Sequence, residues 1–166
     1  MKHVLWLISF LLTALPTFAE RAVAGEVVVD APVAQVWKAW TSSAESNKWF
    51  GADSKIELRV GGAYEIYFDA DEKIGCNGCT ILAIQPEKLL SFTWNAPPHL
   101  PEARAQFTHV TVRLEPVGDN QTRVILREDG WGDGGQWDEA YKYFERAWLQ
   151  MVLPNLQKHF ARTEAM

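Results

Sequence analysis

The sequence predicts an α+β domain: an antiparallel sheet, buried on one face, packs against one long C-terminal helix, with two short helices after the first strand. Three observations predict it. Between Trp49 and Glu128 apolar and polar residues alternate. Tyr64, Ile66 and Phe68 alternate with Glu65, Tyr67 and Asp69; Leu90, Phe92 and Trp94 with Ser91, Thr93 and Asn95; Val110, Val112 and Leu114 with Thr111, Arg113 and Glu115. Such one-sided alternation marks antiparallel strands with one face in a core. From Gln136 to about Phe160 the period becomes helical, and Trp137, Tyr141, Phe144, Trp148, Met151, Val152, Leu156 and Phe160 share one stripe. A shorter stripe of Val33, Val36, Trp37 and Trp40 has the i, i+3, i+4, i+7 spacing of a helix, and tryptophans at that period read as core packing.

Taken in order, Glu26 to Asp30 is a short β-branched run that reads as the first strand. Asp30 is a candidate cap, and Pro32 sits where a first helical turn tolerates it. Ser43 to Lys48 reads as the second short helix, leading into Trp49-Phe50-Gly51. Turns fall at Gly61-Gly62, across Asp69 to Gly75, at Gln85-Pro86-Glu87 and at Gly118-Asp119-Asn120. A glycine-rich break from Gly130 to Gly135 precedes the last helix, and its acids suit the positive N-terminal end of that helix. Pro154 removes one backbone hydrogen bond and predicts a kink near the last turns.

The first residues have the layout of an export signal. Lys2 is followed by the apolar run Val4 to Leu15 and then by the small-residue ending Thr17-Phe18-Ala19. Residues 1–19 are therefore expected to be a signal peptide, with Ala22-Val23-Ala24 as a later cleavage alternative, and residues 25–161 form a single domain. The apolar run is shorter than the ~20 residues needed to span a bilayer. The mature protein is thus expected to be periplasmic or secreted, with no stable membrane insertion. Loss of Lys2 takes the formal net charge from −5 to −6, and an acidic surface argues against nucleic-acid binding.

The order of motifs carries a resemblance. A-P-V-A-Q-V-W (31–37), W-F (49–50) and R-V-G-G (59–62) come first. I-Q-P-E-K-L-L (84–90), F-T-W (92–94), V-T-V-R-L-E-P (110–116), T-R-V-I-L (122–126) and the helix around Trp148 follow. This series resembles the SRPBCC (START-like) superfamily, and within it the family named after the activator of the heat-shock-protein-ninety ATPase. The resemblance implies a helix-grip (START/Bet v-like) fold, a curved antiparallel sheet wrapped around the long C-terminal helix with a cavity between them. It also implies three functions: binding of a small hydrophobic or amphipathic ligand, cyclase- or hydrolase-like chemistry on an enclosed hydrophobic substrate, or binding of a protein partner such as a chaperone. The leader speaks against a cytosolic chaperone partner. Many relatives carry an acid where this chain has Ala83.

Candidate site residues follow from the two inward faces. The sheet offers Tyr64, Ile66, Phe68, Phe92 and Trp94, and the helix offers Tyr141, Phe144 and Trp148. Their composition fits either an interdigitated core or a ligand cavity with a few polar handles, and the resemblance favours the cavity. Trp49 and Phe50 would then gate its mouth.

Cys76-Asn77-Gly78-Cys79 reads as a small-loop disulfide. An exported protein tends to pair its cysteines, and Asn-Gly supplies the turn that brings their Cα atoms within the ~7 Å limit. A thioredoxin-like role lacks its βαβ setting, c-type haem attachment lacks a His at position 80, and zinc lacks two ligands at finger-like spacing. The acidic loop Asp129 to Gly134 fails as a calcium loop, with Trp131 at its third position and Ala140 at its twelfth. His99, His109 and His159 have no sequence-local nucleophile, so no catalytic residue is assigned, no cofactor or metal is implied, and binding is favoured over catalysis. Asp53, Tyr64 and Tyr141 are the candidates to test if the enzymatic reading is taken.

Overall fold

A computed structural model describes residues 20–161, so the leader predicted over residues 1–19 lies outside the described residues. The element order is β1 (Val23–Val29), α1 (Val33–Thr41), α2 (Ser43–Ser46), β2 (Asp53–Ile56), β3 (Tyr64–Asp69), β4 (Ile74–Gly75), β5 (Ile81–Gln85) and β6 (Leu89–Trp94). It continues with α3 (Pro101–Arg104), β7 (Thr108–Val117), β8 (Gln121–Asp129), α4 (Gly135–Arg146), a π-helical turn (Ala147–Val152) and α5 (Leu153–Phe160). This is the predicted α+β architecture, an antiparallel sheet and a long C-terminal helix after two short early ones.

Five strands pair in the order β1-β8-β7-β6-β5 and three in the order β2-β3-β4, with every neighbour antiparallel. The two sheets are stitched at a corner. Ala63 bridges Thr80, the Tyr64 N–H donates to the Cys79 carbonyl (2.8 Å) and the Ile81 N–H to the Gly62 carbonyl (2.9 Å). Register shifts between Ile81 and Ala83 and between Tyr67 and Asp69 add local twist, so the sheet curves around the helix. The R-V-G-G motif makes the turn into β3. Gly61 has φ +75°, and a Cβ on Gly62 would stand 2.2 Å from the Glu57 carbonyl oxygen.

The alternating residues land as their period requires. Tyr64, Ile66, Leu90, Phe92, Trp94, Val110, Val112 and Leu114 are buried, as are Val36, Trp37 and Trp40 on α1. Four local expectations are corrected. β1 begins at Val23, ahead of the β-branched run, because Val23 and Ala24 pair with Glu128 and Arg127. Asp30 does not cap α1; it accepts a bond from Gln121 Nε2, while the Pro32 carbonyl receives the first helical N–H groups. The N-cap of α4 is Gly134 without a side-chain bond, and the acid in its first turn is Asp138.

The fourth correction concerns Met151. Pro154 has no N–H for the Gln150 carbonyl, and the helix relieves this one turn earlier by widening. The Leu153 N–H donates to the Trp148 carbonyl five residues back. The wider turn passes the inward position to Val152 and Leu153. Met151, predicted on the inward stripe, is therefore 61% exposed.

Candidate functional site

The centre of the sheet–helix interface is filled. Trp40 meets Trp49 edge-on (4.8 Å), Trp49 stacks on Phe50 (4.9 Å), Phe50 on Trp94 (5.8 Å), and Trp94 packs on Trp148 (5.3 Å). Tyr64 stacks on Phe92 at 4.1 Å, and its hydroxyl donates to the Trp40 carbonyl at 3.0 Å. The indole of Trp49 donates to the Ala39 carbonyl at 3.1 Å, which ties the Trp49-Phe50 loop into the core. Trp49, Tyr64, Ile66 and Phe92 thus belong to dense packing.

Space opens further along the interface. A half-open groove of about 320 Å³ runs between the outer end of β3 and β4, the segment after β6, α3, and the face of α4 and the π turn. A void of about 30 Å³ continues inward beneath it. Of the residues predicted to line a site, Phe68, Trp94 and Phe144 wall the groove, and Phe50 and Trp148 join them around the inner void. Phe68 is 54% exposed because its side chain forms the outer lip. Tyr141 stands elsewhere, its hydroxyl donating to the Ala22 carbonyl (3.1 Å) and its ring lying under the Arg21 guanidinium (5.0 Å).

Several lining residues escape the sequence reading. Tyr143 and Ala147 join Met151, which was expected on the core stripe, in a second helical stripe at i, i+4, i+8, and this periodicity was a usable signal. Ile74 lies on the two-residue strand β4, and Pro97, Pro98 and Arg104 come from a loop and a one-turn helix, where no periodicity points inward.

The groove's polar side is built around the disulfide loop. Cys76 and Cys79 are bonded with Cα atoms 5.7 Å apart, and Gly78 turns the loop at φ +73°. Arg104 clamps this loop to the chain after β6. Its Nη2 donates to the Gly75 carbonyl (2.9 Å) and Asn77 Oδ1 (2.8 Å), and its Nη1 donates to Asn95 Oδ1 (3.1 Å) and to the Ala96 carbonyl. Asn95 Nδ2 adds a bond to the Asn77 carbonyl at 3.0 Å. Burial holds the Arg104 guanidinium below the ordinary arginine range.

Behind the groove lies a carboxyl that the sequence reading passed over. Glu128 is fully buried, the fourth inward residue of β8 after Thr122, Val124 and Leu126, and that alternation was the signal available for it. Its Oε2 accepts the Trp148 Nε1–H at 2.5 Å, and its Oε1 lies 2.6 Å from Thr108 Oγ1, itself 3.2 Å from the Trp94 carbonyl. Burial pushes the carboxyl up to about 8, against the opposing effect of its two hydrogen-bond partners. The Thr108 hydroxyl donates to Oε1 and the Trp148 indole to Oε2, so both carboxyl oxygens are paired.

The residues with catalytic potential are dispersed. Asp53 is on the surface, ion-paired to Lys73, which holds its carboxyl below the usual range. His109 is exposed beside Asp129 (3.7 Å), and His159 packs on Phe160. Among the described residues no group of three or more His, Cys, Asp and Glu side chains is placed to hold a metal ion. No helix among them is long and apolar enough to cross a membrane.

Comparison with known proteins gives a family and a set of folds. The family described as Activator of Hsp90 ATPase homolog 1-like protein matches residues 30–161. No curated protein sequence matches the chain. The crystal structure of protein MLL2253 from Mesorhizobium loti is 26% identical with a TM-score of 0.70, over 87% of this chain and 100% of that one. The solution structure of the Aha1 dimer from Colwellia psychrerythraea has a TM-score of 0.67 at 17% identity, covering 87% of this chain and 99% of its own. An HSP90 activator from Plasmodium falciparum has a TM-score of 0.62 at 17% identity, covering 82% of this chain and 95% of its own. At 17% identity these last two likenesses concern the fold alone.

Proposed function

We infer the function of this chain from one premise, that it belongs to the Activator of Hsp90 ATPase homolog 1-like family, within which the fold carries ligand or partner binding. Our reading is that it binds a small hydrophobic or amphipathic ligand in the groove between the β3–β4 lip and the terminal helix. The observation that carries it is the groove itself. Its volume, about 320 Å³, lies at the small end of ligand sites, and its walls are apolar and aromatic with a few polar groups on one side. Met151 and Phe68 supply an adaptable lip, a use to which methionine is suited.

The test is binding of a neutral fluorescent probe, N-phenylnaphthylamine, followed by its own emission and by quenching of Trp94 and Trp148. Saturable binding is expected in the unaltered protein. Loss of binding is expected in Ala147→Phe, which fills the groove from the helix side. A folded protein that neither binds the probe nor shifts its melting temperature with any member of a lipid and aromatic panel would remove this reading.

The same proposal includes export. The charged, apolar, small-residue order of residues 1–19 motivates it, and a disulfide is at home in an oxidising compartment. Cleavage is taken to follow Ala19. A cut after Ala24 would remove two paired residues of β1 and also Arg21, which bridges Asp138 at 2.7 Å. Fractionation of the producing cell and the intact mass of the recovered protein test both statements; a cytosolic, full-length chain would refute them.

A further inference from the structure

We propose that the groove selects a single-chain anionic amphiphile, whose carboxylate or phosphate head lies against Arg104 while its chain runs along Phe68, Phe144 and Met151. This rests on the reading of the groove as a ligand site and adds the class of ligand.

The argument begins with the charge on the groove wall. Arg104 lines the groove, yet among the described residues no carboxylate pairs with it. The two ends of its guanidinium give four bonds, all to neutral oxygens: the Gly75 and Ala96 carbonyls and the Asn77 and Asn95 amides. Those bonds fix the plane of the group and leave its positive charge uncompensated. A guanidinium has five N–H donors, and the fifth, on Nε, has no protein acceptor among the described residues. A fixed, partly desolvated cation beside apolar walls attracts an anion more strongly than the same group in water. The fork is already oriented, so little side-chain entropy is lost when an anion arrives.

Chain length follows from the volume. About 320 Å³ suits a medium-chain tail better than a long one, with its far end at the Met151 lip. The remaining walls carry no competing acid, since Phe68, Ile74, Trp94, Pro97, Pro98, Tyr143 and Phe144 are uncharged.

The test uses the oxidised, unaltered protein and displacement of N-phenylnaphthylamine by four ligands of equal chain length: decanoate, decyl phosphate, methyl decanoate and decylamine. Decanoate or decyl phosphate is expected to displace the probe at about tenfold or more lower concentration than the ester or the amine at low salt. That preference is expected to shrink as ionic strength rises. The order of the two anions identifies the natural head group as carboxylate or phosphate. Arg104→Gln should weaken displacement by decanoate and decyl phosphate more than displacement by methyl decanoate, flattening the ranking, and Arg104→Lys should restore part of it. Arg104 also clamps the disulfide loop, so its variants are scored only where near-ultraviolet circular dichroism matches the parent; the head-group series decides without them. Equal displacement by decanoate and methyl decanoate, or preference for decylamine, overturns the anionic head group and leaves the apolar groove standing. Failure of the probe itself to bind overturns the groove reading and this inference with it.

Discussion

Replacing Glu128 by glutamine separates the cost of burying this carboxyl from everything else that titrates. In the unfolded chain the acid ionises near its ordinary value of 4.5, and in the fold burial pushes it up to about 8. Between those values the fold holds a proton that the unfolded chain has lost, so stability falls as pH rises and levels off above about 8. Below about 4.5 both states are protonated and the penalty vanishes. Each pH unit inside the window costs about 1.4 kcal/mol, so the parent should lose about 2–3 kcal/mol between pH ~5.5 and ~7.5 through this residue. Glutamine keeps the shape and the pairing: its carbonyl accepts the Trp148 indole proton and its amide donates to the Thr108 hydroxyl, leaving one amide hydrogen over at a cost of about 1–3 kcal/mol. Glu128→Gln should therefore be the weaker protein near pH 5.5 and lose most of its disadvantage near pH 7.5. Glu45, Asp53, Glu57 and Asp138, held low by Lys48, Lys73, Lys55 and Arg21, have the opposite sign, adding stability that is lost as pH falls toward acid values. The assay is urea unfolding followed by tryptophan fluorescence across the pH series, with the two proteins compared at each pH so that shared titrations cancel. Identical pH slopes in parent and variant would refute the buried neutral acid.

Three further outcomes are expected. Reducing the Cys76–Cys79 disulfide, or replacing both residues by serine, should lower stability by about 2 kcal/mol for so short a loop. It should also weaken probe binding, because Cys76 lines the groove; urea curves and titrations with and without reductant measure both. Gly62→Ala should destabilise by about 2–3 kcal/mol or prevent folding, since its Cβ would stand 2.2 Å from the Glu57 carbonyl oxygen, whereas Gly118→Ala, with open space around it, should cost less; thermal melts rank the two. Trp148→Phe should destabilise by about 2–4 kcal/mol, removing the indole donor to Glu128 as well as packing, and because the folded carboxyl is mostly protonated at both pH ~5.5 and pH ~7.5 the loss should be about equal at the two by the same urea assay.

What the sequence made legible was whatever periodicity encodes. Strands β6 and β7 bury the residues their alternation marks, β3 buries Tyr64 and Ile66, and α1 buries Val36, Trp37 and Trp40 as its stripe requires. The disulfide was legible because Asn77-Gly78 between two cysteines permits few other geometries. Residues joined by long-range contacts were not. Arg104 reaches the groove from a single helical turn, and its partners Gly75 and Asn77 stand 29 and 27 positions away. The sequence marked an aromatic face but could not divide it between packing and lining. That division depends on where the sheet ends against the helix, which leaves Tyr64 and Phe92 inside and Phe68 on the lip.

The terminal helix shows how one local constraint shapes the site. An uninterrupted α-helix would bring Met151 round to the inward stripe begun by Phe144 and Trp148, as its spacing predicts. Pro154 denies the Gln150 carbonyl its partner, and the preceding turn answers by closing its bond from Leu153 back to Trp148. One extra residue in that turn carries Leu153 into the core at 2% exposure and swings Met151 outward beside Ala147 and Tyr143. Leu153 thus takes the inward place that the spacing assigns to Met151. The groove gains a flexible apolar wall opposite Phe68. The proline that looks in the sequence like a defect in the last helix thus sets the division of that helix into a packed stripe and a lining stripe, and the binding function proposed for the groove depends on the second.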